Sequence, residues 1–342
     1  MTATAPPGVD IPALESFLRA AAPGLLAGPL RVELLSGGRS NLTYLLTDGA
    51  GGRWVLRRPP LGHVLETAHD MGREYRVLEA LHPTDVPVPA PRVIGGPDVI
   101  GAPFYVMDFT DGLILRDRDQ VEAFGGAAAT GLAATLMETL ARLHRLVPDE
   151  VGLGALGRPE GYLARQVSRW ARQTAASRSR DVPGFDKLAE RLTERLPARQ
   201  GAAIVHGDYR LDNVVVAPDG TVVGVLDWEM ATLGDPFTDL ASAVVWWDGI
   251  SGLDSPVAAV PGDVPGFPTS DVLVGAYARH TGADLAELPW YLGFAFYKIA
   301  AIFEGIHYRA QAGFAVGDGF EQIGAMVPDL VARGHDALSD WS

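Results

Sequence analysis

Two polar segments with the residue types of phosphate chemistry lie close together in the second half of the chain. Residues 206–213, which we call the polar loop, read His-Gly-Asp-Tyr-Arg-Leu-Asp-Asn, and residues 226–229 read Leu-Asp-Trp-Glu. Apolar runs flank both segments, so we expect the polar groups at strand ends, where a rigid frame can aim them. A carboxylate beside an amide oxygen makes an all-oxygen site that suits Mg²⁺ together with substrate phosphates. The pattern therefore predicts metal-assisted phosphate chemistry.

A β-hairpin is expected to bring the two segments together. Residues 214–216 are three valines, residues 218–220 form a Pro-Asp-Gly turn, and residues 222–226 are again apolar. Apolar runs on both sides of such a turn are typical of a hairpin. It would fold Asn213 and Asp227 back towards each other, so these two residues are the predicted metal ligands.

Around this hairpin, the sequence predicts a small β-rich part followed by a larger helical part. In the first third, short apolar segments predict strands and two amphipathic segments predict helices. These strands cover residues 30–35, 42–47, 54–57, 92–95 and 104–109, and the helices lie at 11–22 and around 71–81. Later, apolar residues at helical spacing predict helices at 132–146, 162–175, 185–196, 238–247 and 290–309. The expected fold class is α+β.

The polar loop has the spacing of a kinase catalytic loop. Asp208, Arg210 and Asn213 stand at D, D+2 and D+5, and Asp227 follows one hairpin later. The chain has His-Gly-Asp where protein kinases have His-Arg-Asp, and Asp-Trp-Glu where they have Asp-Phe-Gly. In these two motifs it resembles the aminoglycoside phosphotransferase / choline kinase superfamily. The segment Gly-Asp-Pro-Phe-Thr-Asp-Leu-Ala at 234–241 fits the same family.

Two further segments narrow this resemblance. Residues 164–170, Ala-Arg-Gln-Val-Ser-Arg-Trp, and residues 298–305, Lys-Ile-Ala-Ala-Ile-Phe-Glu-Gly, are similar to the phosphotransferase-like domain at the front of certain acyl-CoA dehydrogenase fusion proteins. The resemblance implies a bilobal protein-kinase-like fold. The expected parts are a small β-rich N-terminal nucleotide-binding lobe at 1–107, a hinge at 108–112, and a larger, mainly helical catalytic and acceptor-binding lobe at 113–342.

The resemblance also implies roles for single residues. Asp208 would be the catalytic base, accepting the proton of the substrate hydroxyl or orienting that hydroxyl. Arg210 would contact the transferred phosphate, and Asn213 and Asp227 would hold Mg²⁺ against the phosphates of ATP.

Four neighbouring acids are expected to play other parts. Asp235, which precedes a proline, is interpreted as a helix N-cap. Asp239 resembles the family aspartate that braces the catalytic loop through backbone hydrogen bonds. Asp212 and Glu229 are interpreted as solvated acids.

The N-terminal part carries features of a nucleotide site. Residues 37–41, Gly-Gly-Arg-Ser-Asn, lie between two predicted strands, and their glycines let backbone N–H groups approach phosphates. We therefore expect Gly38, Ser40 and Asn41 to contact the nucleotide.

A cation and a carboxylate are expected to pair beside this loop. Arg57 and Arg58 lie on the third strand where a kinase has lysine, and strand alternation favours Arg57 for the α/β-phosphates. Glu74 falls inside the apolar stripe of its helix, and a buried carboxylate needs a cation, so Arg57 is its predicted partner. Met107 and Phe109 lie where backbone groups would contact adenine; ATP and GTP both stay open.

Composition limits the other functional classes. The 342 residues include 28 Lys and Arg against 42 Asp and Glu, a net charge of −14, which disfavours binding to nucleic acid or an anionic membrane. The absence of cysteine excludes thiolate catalysis and cysteine-ligated zinc. No apolar run reaches the ~20 residues of a membrane span, and the first ten residues do not resemble a secretory signal. We expect a cytoplasmic protein.

The expected activity is an ATP- and Mg²⁺-dependent small-molecule kinase that phosphorylates a hydroxyl group. The fusion-protein resemblance favours a hydroxyacyl-CoA or related metabolite as acceptor. The alternatives are a catalytically silent nucleotide-binding module, an aminoglycoside-type antibiotic kinase, which the acidic charge permits, and, more distantly, a hydrolase. Arg165, Arg169 and Arg172 share one helical face, which could meet an anionic acceptor or simply be solvated.

Overall fold

The structure is a computed structural model that divides into two compact units. It describes residues 6–36, 41–61, 70–178, 180–198, 200–253, 255–313 and 320–340. The first unit, called the N-terminal unit below, comprises residues 1–111 and 224–229. The second, the C-terminal unit, comprises residues 112–223 and 230–342. The lobe bounds expected from the sequence stay a prediction.

An antiparallel sheet of five strands forms the centre of the N-terminal unit. The strands are β1 (Arg31–Ser36), β2 (Leu42–Thr47), β3 (Arg53–Arg58), β4 (Pro91–Gly95) and β5 (Phe104–Asp108). Their spatial order is β1-β2-β3-β5-β4. The helices of this unit are α1 (Ile11–Ala21), α2 (Met71–Leu81) and the short α3 (Pro97–Ile100). All five predicted strands and both predicted helices are confirmed.

The register of the sheet places two site residues side by side. In β2, Leu42, Tyr44 and Leu46 are buried in the apolar core, as the alternating pattern predicts. On the next strands, Arg57 of β3 pairs directly with Tyr105 of β5. Directly paired residues have their side chains on the same face of a sheet. The two side chains therefore share one face.

Helix α2 begins at a capping residue that sets the position of Glu74. The side chain of Asp70 accepts a hydrogen bond from the backbone N–H of Arg73 at 2.9 Å, which satisfies an otherwise unpaired group of the first turn. From this start, Glu74 lies on the same buried face as Val77 and Leu78. The helical periodicity thus directs a carboxylate into the core.

The C-terminal unit is mainly helical. Its helices are α4 (Arg118–Phe124), α5 (Gly126–Arg145), α6 (Tyr162–Ser177), α7 (Phe185–Glu194), α8 (Phe237–Val244), α9 (Ser270–Thr281), α10 (Leu288–Gln311) and α11 (Phe320–Ser339). Helix α10 is buried along most of its length and packs against α6, α8 and α11. Within the described residues, no helix is long and apolar enough to cross a membrane.

Four short strands interrupt these helices. They are β6 (Ala203–Val205), β7 (Val214–Val216), β8 (Val222–Val225) and β9 (Thr232–Gly234). Strand β6 pairs with β9, and β7 pairs with β8, whose last two residues belong to the N-terminal unit. The predicted hairpin is confirmed, and β6 leads straight into the polar loop.

Several elements differ from the sequence prediction. The helices α3, α4, α9 and α11 and the strand β9 were not predicted. Helix α11 contains Pro328, which sequence rules treat as a helix breaker because proline lacks the N–H donor. The helix expected at 238–247 ends at Val244 and continues as a π-helical turn over Val245–Gly249. There the large indoles of Trp246 and Trp247 are buried, so packing overrides the regular helical repeat.

Candidate functional site

Arg57 lies at the centre of a buried ionic cluster in the N-terminal unit. Its Nη2 donates to Oδ1 of Asp227 at 2.9 Å, and its Nε lies 3.4 Å from Oε2 of Glu74. Arg57 is 7% exposed and Glu74 only 1%. The pairing of Arg57 with Glu74 expected from the sequence is therefore present. The adjacent Arg58 instead donates to the backbone carbonyl of Gly8.

The carboxylate of Glu74 is held by two further hydrogen bonds. Nδ2 of Asn41 donates to Oε1 at 3.0 Å, and the hydroxyl of Tyr105 donates to Oε2 at 2.7 Å. Each carboxylate oxygen thus has a donor, which lowers the cost of burying a charge. Tyr105 was missed by the sequence reasoning, because its role depends on the pairing of β3 with β5.

Burial and charge act in opposite directions on this cluster. Burial raises the pKa of Glu74, while the guanidinium of Arg57 opposes that rise. Burial alone would lower the pKa of Arg57, but the surrounding Tyr105, Glu74 and Asp227 outweigh it and raise that pKa. The guanidinium therefore stays charged at every accessible pH.

Glu229 also joins this cluster, contrary to the expectation of a solvated acid. Nδ2 of Asn41 donates to its Oε2 at 3.3 Å, and the residue is only partly exposed. One oxygen each of Glu74, Asp227 and Glu229 lies within 4.8 Å of the others. Oxygen ligands at this spacing suit a hard divalent cation. The residues of this contact, Asn41 and Glu229, are 188 positions apart in the sequence, so no local sequence pattern could predict it.

Asp227 has an unusual backbone conformation. Its φ is +64°, and among the described residues it is the only non-glycine with a positive φ. A side-chain-bearing residue in the left-handed region costs roughly 1–3 kcal/mol, and such residues cluster at functional sites. The observation supports a functional part for this carboxylate.

The other predicted nucleotide contacts have different positions. Gly38 and Ser40 lie outside the described residues, whereas Asn41 is buried beside Glu74. Met107 is buried in β5, and Phe109 follows the strand, its backbone N–H donating to the carbonyl of Arg53 at 3.3 Å. Their assignment to the nucleotide stays a prediction.

The polar loop of the C-terminal unit holds Asp208 by local contacts. Nδ2 of Asn213 donates to the backbone carbonyl of Asp208 at 2.9 Å and to its Oδ2 at 3.0 Å. A short 3₁₀ turn over Leu211–Asn213 makes this return possible. Because the amide nitrogen faces Asp208, the amide oxygen of Asn213 points elsewhere and could serve a metal ion. The side chain of Asp208 is 33% exposed.

Arg210 connects the two acids of the polar loop. Its Nε lies 3.4 Å from Oδ2 of Asp208, and its Nη2 lies 2.9 Å from Oδ2 of Asp212. Its guanidinium also stacks over the ring of Trp246 at 4.5 Å. Asp212 is not a solvated acid as expected, because its side chain is 13% exposed and burial raises its pKa.

Asp239 holds the polar loop in place through backbone hydrogen bonds, as the resemblance implied. Its Oδ2 accepts the backbone N–H of His206 at 2.6 Å, and its Oδ1 accepts that of Gly207 at 2.8 Å. His144, 95 positions away, contacts the same Oδ2 at 3.3 Å. Burial alone would raise the pKa of Asp239, but His144 and the backbone donors outweigh it and lower that pKa. Asp235 is not the N-cap residue expected from the sequence, because the N-cap of α8 is Pro236, one position later. The Oδ1 of Asp235 nevertheless accepts the N–H of Phe237, the first residue of α8.

Replacing Asp239 is expected to loosen the loop and destabilise the protein. Asp239→Asn removes the carboxylate oxygen that accepts one of the two backbone N–H groups, so we expect the free energy of unfolding to fall by about 3 kcal/mol at pH 7. Because the pKa of Asp239 is lowered from 3.8, this contribution is present above that pH and disappears as the pH falls through the lowered pKa. Urea unfolding at several pH values measures it. Exposed Asp329→Asn is the control, and equal losses in both variants would contradict the bracing role.

An open pocket lies beside Asp208 and within the C-terminal unit; we call it the Asp208 pocket. Its volume is about 480 Å³, including the solvent at its mouth. Its lining combines the polar loop with residues of α6, of α8 and the π-helical turn that follows it, and of α10: Tyr162, Gln166, Gly207, Asp208, Thr238, Asp239, Ser242, Trp246, Phe294, Ala295, Lys298, Ile299 and Ile302. A small organic molecule with an apolar part fits this mixture of side chains.

Several known proteins resemble this chain in sequence and fold. Acyl-CoA dehydrogenase family member 11 of Gallus gallus is 35% identical over 339 residues, which cover 95% of this chain and 43% of that protein. The chain thus spans less than half the length of this relative. A crystal structure from Ralstonia eutropha JMP134, described as a candidate aminoglycoside phosphotransferase, is 32% identical with a TM-score of 0.80. It covers 97% of this chain and 98% of its own.

A more distant structure shares the fold. Amicoumacin kinase hAmiN, solved with AMP-PNP, Ca²⁺ and Ami, has a TM-score of 0.58 at 15% identity, covering 94% of this chain and 92% of its own. The fold is therefore the expected protein-kinase-like one. The sequence model of the phosphotransferase enzyme family matches residues 31–289. A match of this extent places the chain in that family.

Proposed function

We propose that the chain is an ATP- and Mg²⁺-dependent kinase with Asp208 as its catalytic base. The observation that carries the proposal is the setting of Asp208. Its carboxylate is oriented by Asn213 and Arg210 and borders an open pocket lined by both polar and apolar side chains. A general base must be held within reach of the hydroxyl that loses its proton.

The N-terminal cluster fits the phosphates of a nucleotide. A guanidinium has five N–H donors, and the described part of the chain shows Arg57 donating one of them, to Asp227. Its buried Nε makes no hydrogen bond within that part. Buried donors without a partner are costly, and phosphate oxygens are the acceptors an arginine fork matches best. We therefore assign Arg57 to the α/β-phosphates, with Glu74 holding the arginine in place.

The oxygen donors fit Mg²⁺. Asp227 has one oxygen bonded to Arg57 and a second left for a cation, and Asn213 presents an amide oxygen. We propose both as Mg²⁺ ligands. When bound, the metal ion neutralises charge on the phosphates.

The chain's own residues would perform the remaining steps. A hydroxyl of the acceptor would lie against Asp208, which takes its proton as the hydroxyl oxygen bonds to the γ-phosphorus. The bond from that phosphorus to the oxygen bridging the β- and γ-phosphates breaks, and ADP leaves with the electron pair. Asn213 and Arg210 keep the carboxylate oriented towards that hydroxyl. Arg210, beside Asp208, would also contact the transferred phosphate, where its positive charge stabilises the charge on the equatorial oxygens.

We propose a hydroxyacyl thioester of coenzyme A, or a related hydroxy acid, as acceptor. The support is the relative named as an acyl-CoA dehydrogenase family member, although that name describes a protein of more than twice the matched length. An antibiotic kinase is the alternative, supported by the description of the Ralstonia structure. A silent nucleotide-binding module is less well supported, because Asp208, Asn213 and Asp227 are all present.

An ADP-release assay over an acceptor panel tests the proposal. The panel contains hydroxyacyl-CoA thioesters, free hydroxy acids, choline, sugars and an aminoglycoside, each with ATP and Mg²⁺. We expect hydroxyacyl compounds to stimulate release at least tenfold over water, and EDTA to abolish the stimulation. ATP binding without stimulation by any acceptor would favour the silent module, and absence of nucleotide binding would contradict the proposal altogether.

A further inference from the structure

We propose that Lys298 is a specificity-determining residue that contacts an acyl oxygen of the acceptor and disfavours cationic acceptors. The inference rests on the proposed function, because it concerns the molecule that occupies the Asp208 pocket. It identifies a residue whose positive charge would determine which hydroxyl compounds bind as acceptors.

Lys298 introduces a single cation into an apolar helix face. Helix α10 lines the pocket with Phe294, Ala295, Lys298, Ile299 and Ile302, which recur at helical spacing on one side. Among these five residues, only Lys298 can carry a charge. A lone ammonium on such a face is costly unless polar groups meet it, so its presence calls for an explanation.

The amine lies directly beside the polar loop. Nζ of Lys298 donates to the backbone carbonyl of Gly207, the residue before Asp208. An ammonium has three hydrogens, and this contact uses one of them. Both Lys298 and Asp208 line the same pocket, so a molecule bound against Asp208 also meets the amine.

The neighbouring carboxylates do not consume the remaining hydrogen-bonding capacity of Lys298. The charges that act on it are those of Asp208, Asp239, Arg169 and Arg210. Asp239 already accepts two backbone N–H groups, and Asp208 accepts from Asn213. Burial lowers the pKa of Lys298, and the two acids oppose this. Within the described residues, the other contact of Nζ is the ring of Trp170, whose centroid is 6.0 Å away. An oxygen of a bound acceptor would accept one of the remaining N–H groups.

The rest of the lining indicates the kind of molecule that carries this oxygen. Trp246, Phe294, Ile299 and Ile302 offer apolar surface that suits a hydrocarbon chain. A polycationic acceptor is disfavoured, because the ammonium of Lys298 lies among the apolar residues of this lining. One of the two carboxylates of the lining, Asp239, already accepts two backbone N–H groups. The acceptor that matches is a hydroxyl on a short hydrocarbon chain bearing a carboxylate or a thioester carbonyl.

Four acceptors on one carbon skeleton separate these possibilities. They are 3-hydroxybutyrate, its N-acetylcysteamine thioester, neutral 2-butanol and cationic 4-amino-2-butanol. Binding is measured by ligand-observed NMR without nucleotide, and turnover by ADP release. We expect the wild-type protein to prefer the acid or its thioester over 2-butanol by at least about tenfold in Kd and in KM, because the acyl oxygen gains a charge-assisted hydrogen bond. The preference over the amine should be larger, because the ammonium of Lys298 repels a cationic acceptor.

Two lysine variants and a control test the residue itself. Lys298→Met is expected to remove the preference, by raising KM for the acid and the thioester relative to KM for 2-butanol. Lys298→Arg should keep most of the preference. Lys187→Met, at an exposed position on α7, should leave the preference unchanged. The larger rise in KM on Lys298→Met, for the acid or for the thioester, shows whether the amine recognises a carboxylate oxygen or a thioester carbonyl.

The outcomes distinguish the inference from the proposed function. Equal loss of kcat for all acceptors in Lys298→Met would show that the amine only holds Gly207 in place, which would overturn the inference. Equal binding of acid, alcohol and amine to the wild type would also overturn it. Selective, Lys298-dependent binding without ADP release from any acceptor would support the inference and contradict the proposed kinase activity.

Discussion

Asp208→Asn is expected to lower kcat by about 10²- to 10⁴-fold while KM for ATP and the acceptor changes by less than about threefold. A general base contributes this much to a proton transfer. The variant keeps the size of the side chain, and its amide oxygen can still accept from Asn213, so the polar loop should keep its geometry. A loss confined to kcat is the signature of an interaction used in the transition state.

The measurement is steady-state ADP release with the best acceptor of the panel, together with a thermal melt to verify folding. Exposed Asp329→Asn removes the same charge from the surface of the C-terminal unit and should leave kcat unchanged. If Asp208→Asn retained more than a tenth of wild-type kcat, the carboxylate would only orient the hydroxyl, and the assignment as base would be wrong. A large rise in KM instead would make Asp208 a binding residue.

Arg57→Met is expected to damage stability and nucleotide binding at once. It leaves the carboxylate of Glu74, 1% exposed, without its cation, and breaking a buried pair from one side costs about 3–5 kcal/mol. We also expect Kd for ATP to rise about 10- to 100-fold, because a charged hydrogen bond to phosphate contributes about 1.5–3 kcal/mol.

The double variant Arg57→Met/Glu74→Gln separates these two effects. With both charges removed, Tyr105 and Asn41 can still bond to the amide, so much of the lost stability should return. Nucleotide affinity should not return, because the proposed phosphate contact is still missing. A positive interaction energy in the unfolding free energies would measure the ion pair.

Arg58→Met is the matched control for this series. It removes a cation one residue away whose contacts are the backbone carbonyls of Gly8, Pro59 and Ile100, so Kd for ATP should stay within about twofold of wild type. Urea unfolding and fluorescence titration with a nucleotide analogue give both quantities. Recovery of affinity in the double variant, or an equal loss of affinity in Arg58→Met, would exclude Arg57 as the phosphate-binding residue.

The sequence alone determined the features that depend on local spacing. Asp208 and Asn213 lie five residues apart in one turn, and their contact follows from that turn. The inward position of Glu74 follows from helical periodicity, and the hairpin follows from two apolar runs around a Pro-Asp-Gly turn. The residue types in the motifs were enough to identify the family, which the match over residues 31–289 confirms.

The tertiary structure decided every contact between distant parts of the chain. A periodic pattern shows which face of an element is buried, but not which residue it meets there. Tyr105 reaches Glu74 only through the pairing of β3 with β5, and Glu229 meets Asn41 across 188 positions. Lys298 meets Gly207 across 91 positions. Such contacts depend on the packing of whole helices and strands against one another, so only the folded chain shows which residues join a motif to make a site.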